Sequence, residues 1–124
     1  MIPFPQHSNV VMHSECRMEL VKLIHESEIP DFLAAYEQRI NFLSQNLGKE
    51  ALFHRSWFEV LKNAKGLRSI HFMVFRNLRI LYMVENNKAF LLLAFEERQG
   101  HKRTEYTNYI DPALKRLKDK EKML

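Results

Sequence analysis

The chain has a single cysteine, Cys16, in 124 residues. An intrachain disulfide and a cysteine-based metal cluster are thereby excluded, and the usage fits a reducing compartment. No apolar run approaches the roughly 18 residues of a membrane span, so no membrane partner is expected. The first residues hold no basic segment followed by an apolar one. A secretory leader is therefore not expected, and the expected location is the cytoplasm. Internal repeats are lacking, and only the lysine-rich end approaches low complexity. What remains is the length of one domain, and an apolar share of 46% lets it build a modest core without staples.

Charge is unevenly spread. The formal net charge is +4. Residues 1–64 hold six Lys or Arg against eight Asp or Glu, whereas residues 65–124 hold thirteen against seven. The positive excess belongs to the second half, which makes an anionic partner such as nucleic acid plausible.

That half opens on Leu67 to Glu96, LRSIHFMVFRNLRILYMVENNKAFLLLAFE. Alternation there predicts three strands in a meander. Ile70, Phe72 and Val74, then Leu78, Ile80, Tyr82 and Val84, share one face. His71, Arg79, Leu81 and Met83 share the other. Ala89 to Phe95 is nearly all apolar, as a strand covered on both sides requires. Asn86 and Asn87 tolerate the left-handed backbone of a tight turn.

In chain order, residues 1–17 carry two prolines and no lasting period, and read as a flexible N-terminal arm ahead of a domain over 18–124. His7, His13 and Cys16 match no compact metal-ligand spacing, so no metal and no cofactor is assigned. Glu19 to His25 alternates and predicts an edge strand. Pro30 then starts a helix whose stripe runs through Ile29, Leu33, Tyr36, Ile40, Leu43 and Leu47, ending at Gly48. A second helix is expected from Lys49 to Asn63, with Trp57 read as packing rather than as a ligand platform. Lys65-Gly66 stops it. After the meander, His101, Lys102 and Arg103 form a basic cluster. Asp111 and Pro112 predict the cap and first turn of a short last helix. The fold class is α+β: an antiparallel meander with an N-terminal edge strand, two N-terminal helices on one face and a short C-terminal helix.

This order resembles the RelE/ParE superfamily of small toxins, most closely the HigB-type and phage-derived toxins of type II toxin–antitoxin systems. The residues that carry the likeness are Leu61-Lys62, Gly66-Leu67-Arg68, Arg79-Ile80-Leu81-Tyr82 and Leu91-Leu92-Leu93-Ala94-Phe95, within roughly residues 19 to 119. The resemblance implies a toxin that cuts messenger RNA on the ribosome without a metal. It also implies a cognate antitoxin of the helix-turn-helix, HigA-like kind. The oligomeric state stays open.

By resemblance, Arg79 is the first catalytic candidate, a guanidinium placed to clamp a phosphate oxygen. Arg68 is the second, although alternation sets it on the side of Ile70 and Phe72. His101 is a candidate proton donor or acceptor and Lys102 a charge stabiliser. Arg103, His71, Tyr106 and Tyr109 are candidate RNA contacts. His71 reads equally as a half-buried sheet residue, and the two tyrosines as packing under the last helix. Leu81 and Met83, if exposed, would call for antitoxin contact. Two other functions stay open: a ParE-like inhibitor of DNA gyrase, and a non-catalytic binding module of prophage origin. Glu96 and Glu97 favour the module, because they stand where such toxins usually carry lysines.

Overall fold

The computed structural model describes residues 1–97 and 102–124, with side chains for all of these except 102–105. It is an α+β fold. Among the described residues five strands form one mixed sheet: β1 (Val10–Met12), β2 (Phe58–Val60), β3 (Arg68–Phe72), β4 (Leu78–Glu85) and β5 (Lys88–Glu96). Their spatial order is β1-β5-β4-β3-β2. Only β1 against β5 is parallel. The helices are α1 (Ser14–Leu23), α2 (Ile29–Gln45), the single turn α3 (Glu50–Phe53) and α4 (Lys102–Leu117).

The meander forms where alternation predicts it, with β5 internal to the sheet. Asn86 and Asn87 close β4 onto β5 with φ of 52° and 59°, in a two-residue loop that matches the strand twist. Ile70, Phe72, Leu78, Ile80 and Tyr82 pack in one core with Phe32, Tyr36, Ile40 and Leu43 of α2 and Cys16 and Leu20 of α1. Val74 departs from its expected face: it lies in the β3–β4 turn and is 82% exposed. A second core lies across the sheet, where Tyr106 and Ala113 of α4 meet Leu81, Phe90 and Phe95. A register shift at Leu81/Tyr82 sets Leu93 opposite Leu81 but Leu91 opposite Tyr82, so Leu92 is the extra residue of a bulge. Leu92 and Leu93 both join the second core as a result.

Four expectations are corrected. The stretch Glu19 to His25 is not a strand. Its first part belongs to α1, whose N-cap His13 accepts the Glu15 N–H, and Cys16 and Leu20 bury one helical face. Seven residues of alternation fit either period, and the cap decides between them. The edge-strand role falls instead to Val10–Met12, inside what reads as a loose arm. Ile2, Val10, Met12 and His13 of that arm are buried. The helix expected over Lys49 to Asn63 stops after one turn at Phe53, and Phe58–Val60 pairs with β3. Trp57 stacks on His54 at 3.7 Å in the bend between them, and aromatic and β-branched residues then suit the strand. The last helix begins at Lys102, well before Asp111, and Pro112 lies inside it, where it has no N–H for the preceding turn.

The β5 edge is closed in two ways. Over Ala89 to Leu91 it is paired by β1. Beyond β1 a side-chain pair substitutes for a strand. Glu19 accepts the Ala94 N–H at 3.0 Å, while Arg116 donates to the Leu92 carbonyl at 2.9 Å. The two side chains join each other through contacts of 2.8 and 2.7 Å. Outside β1, the Leu124 and Met12 backbones exchange two hydrogen bonds of 2.9 Å.

Candidate functional site

Polar side chains gather at one corner of the α4 side of the sheet, where β2, β3 and β4 run side by side. Register puts Glu59 beside Ser69, and His71 beside Arg79. A period of two turns all four toward α4. His71 Nε2 lies 3.1 Å from Glu59 Oε1. Arg79 Nε donates to Glu97 Oε2 at 3.3 Å, and its Nη1 donates to the Leu78 carbonyl at 3.3 Å. Tyr106, from the N-terminal half of α4, donates its hydroxyl to Ser69 Oγ at 3.1 Å. Burial pushes the Tyr106 phenol up to about 12, against the opposing pull of the Ser69 hydrogen bond and the Arg79 charge. The phenol therefore keeps its proton at neutral pH and acts as a donor.

This corner can do two things chemically. The Glu59–His71 pair orients an imidazole, as general acid–base chemistry requires. Arg79 supplies a fixed positive charge in a place only 5% exposed, where charge acts strongly. A phosphate at Arg79 Nε would have to displace Glu97.

Of the expected site residues, Arg79, His71 and Tyr106 thus share one corner. Tyr109 does not reach it through a polar contact; it stacks on Phe95 with ring centroids 4.4 Å apart and packs against the second core. Arg68 is corrected outright. It faces the other side of the sheet, where its Nη1 donates to Glu50 Oε2 at 2.7 Å. Tyr82 donates to the same oxygen at 2.6 Å, and Glu50 is fully buried. Arg68 is thus paired with a buried carboxylate on the opposite face of the sheet from Arg79. Leu81 is also corrected: it is fully buried and Met83 is partly covered, both against the second core, so neither calls for a partner. His101, Lys102 and Arg103 lie outside the residues whose side chains are described.

Sequence reasoning missed Glu59, Glu97 and Ser69 at this corner, and Glu50 on the opposite face. Ser69 alternates onto the same face as His71, which was the one signal available. Among the described residues no group of three or more His, Cys, Asp or Glu is arranged to hold a metal ion. His7 and His13 are engaged elsewhere, with Asn41 at 2.7 Å and Asp119 at 3.1 Å. Among the described residues no helix is long and apolar enough to cross a membrane. Compared with known proteins, the chain matches no family model and no curated protein.

Proposed function

We propose that the protein is a RelE/HigB-like toxin of a type II toxin–antitoxin system, a ribosome-dependent endoribonuclease that cuts messenger RNA in the cytoplasm and is held in check by a helix-turn-helix antitoxin. The observation that supports this reading is the ionisable corner on the meander of a small α+β domain. In this reading the RNA 2'-hydroxyl attacks the adjacent phosphorus. A base takes its proton, the phosphorus–O5' bond breaks, and an acid returns a proton to the 5'-oxygen. Arg79 stabilises the charge that builds on the phosphate once Glu97 turns away. His71, held by Glu59, and His101 are the candidate proton carriers, and Lys102 and Arg103 bind the backbone.

The test is induced expression of wild type, His71→Ala, His101→Ala and Arg79→Ala, with mapping of messenger RNA ends inside translated frames. Wild type is expected to arrest growth and cut, and loss of a proton carrier to slow cutting about 10²–10⁴-fold. Arrest with intact RNA would sink the nuclease and point to another target such as gyrase.

A second reading has its own support. Arg79 is already neutralised by Glu97 and Arg68 by Glu50, which suits a module that keeps the fold and binds without cutting. In that case no variant at the corner changes RNA integrity.

A further inference from the structure

Among the described residues four arginines pair with carboxylates, and three of them do so tightly. Arg68 meets Glu50 at 2.7 Å, Arg76 meets both Glu28 and Glu96 at 2.7 Å, and Arg116 meets Glu19 at 2.7 Å. Arg79 is the exception. It is the most buried of the four, yet its contact with Glu97 is 3.3 Å long and involves Nε alone. Its Nη1 is turned to the Leu78 carbonyl and the Met73 sulfur. Among the described residues its Nη2 donates to nothing.

A shielded ion pair repays its loss of water only when its geometry is good. Nε and Nη2 form the side of a guanidinium that takes two oxygens of one anion, at about 2.7–2.9 Å each. Glu97 fills half of that fork, and from beyond the usual distance. Its backbone is held just past the end of β5, where the Glu97 N–H bonds to the Asn77 carbonyl at 3.0 Å. Its side chain is 13% exposed, so one way out to solvent is open. The carboxylate can therefore leave Arg79 by turning about its own single bonds, with the strand unmoved. Glu96, one residue earlier, is engaged elsewhere, by Arg76.

We infer that Glu97 is an internal stopper on the polar corner, a tethered carboxylate that occupies the Arg79 fork in place of an outside oxyanion and opens the site by swinging outward. The inference rests on the reading of this corner as a site for a phosphate group, and adds to it a way of holding the site shut. A tethered carboxylate competes with every anion from outside. The apparent affinity for such an anion falls in proportion to the fraction of molecules whose fork is free.

The experiment uses the full chain labelled with nitrogen-15. The Arg79 Nε–H resonance, identified by its absence in Arg79→Lys, is followed by NMR as dimethyl phosphate is added. This probe is a monoanionic phosphodiester with no ribose. Glu97→Gln is expected to bind it about tenfold more tightly than wild type or better, as removal of a stopper closed nine-tenths of the time requires. Glu97→Asp, one methylene too short for the same contact, is expected to fall between them. Glu96→Gln, with the same loss of charge, is expected to match wild type. Equal affinity in wild type and Glu97→Gln, an equal gain in Glu96→Gln, or a gain that survives in Arg79→Lys/Glu97→Gln would each overturn the inference. Thermal unfolding of the same proteins shows whether each is folded. Should Glu97→Gln not fold, Glu97→Asp decides, and no gain over wild type in that variant overturns the stopper. Tighter diester binding by Glu97→Gln with messenger RNA left intact in cells would uphold the stopper and count against the nuclease reading. Unchanged diester binding with messenger RNA cut equally by wild type and Glu97→Gln would overturn the stopper and leave that reading standing.

Discussion

Replacing Arg68 by alanine is expected to destabilise the protein by about 3–5 kcal/mol, because it strands a charge in the core. Glu50 is fully buried, and its Oε2 takes both available donors, Arg68 at 2.7 Å and Tyr82 at 2.6 Å. Its Oε1 is buried without a hydrogen-bond partner. With Arg68 gone, one phenol is left to hold a carboxylate away from water. The expected loss is a large share of the roughly 5–15 kcal/mol available to a domain, and lowers Tm by on the order of 10–25 °C. Urea unfolding and calorimetry measure it. Removing the whole group together, as Glu50→Leu/Arg68→Met/Tyr82→Phe, should recover most of the stability, since an apolar replacement of a buried pair is often neutral. A deficit below about 1 kcal/mol would refute the reasoning. The outcome also governs how activity data are read, because an inactive Arg68 variant would be reporting on folding and not on phosphate chemistry.

Two further predictions concern the joined edges of the fold. Hydrogen exchange at the Ala94 amide should accelerate in Glu19→Ala, with amides opposite β4 little changed, because the Glu19 carboxylate is the acceptor for that N–H. Equal exchange in wild type and variant would mean that the side chain does not close the edge. A hydrogen bond with the Glu121 side chain, then one with His13 and the Lys122 charge, hold Asp119 below its ordinary value. A depressed folded-state value adds stability that is present above the unfolded value near 4 and is lost as pH falls through the folded one. Asp119→Asn should therefore flatten the acid limb of a stability–pH curve below about pH 4. An acid limb of unchanged steepness would count against it.

The legible parts of this fold are those where one periodicity persists. Ile70 to Val84 alternates long enough to fix strands, faces and turn. The stripe through Tyr36, Ile40 and Leu43 fixes α2. Where the sequence offers only seven residues, as at Glu19 to His25, both periods fit, and the deciding contact is the His13 cap, which alternation does not register. α4 is a different failure. Its stripe of Tyr106, Tyr109, Ile110, Ala113, Leu114 and Leu117 is continuous, but Pro112 reads as a first-turn residue and splits it. With the helix shortened, the sheet face bearing Leu81 looked open. The corner was half legible. Alternation puts His71 and Arg79 on one face, yet it carries no information on counter-charges. Glu97 reaches Arg79 from beyond the end of β5, and Glu59 lies on a strand that reads as helix.

The placement of β1 bears on how the protein is made. Val10 to Met12 leave the ribosome early, but their parallel partner, Ala89 to Leu91, follows nearly eighty residues later. At about 5–20 residues per second, that is a delay of roughly 4–15 s. Throughout it the side chains of Val10 and Met12, which end almost wholly buried, have no sheet to join. The Asp119 partner of His13 and the backbone partner of Met12 at Leu124 come later still. The sheet of a nascent chain therefore stays incomplete until β5 has emerged, and the polar corner, which needs β2, β3, β4 and α4 together, is assembled only after α4, the last of these elements in the chain, has left the exit tunnel.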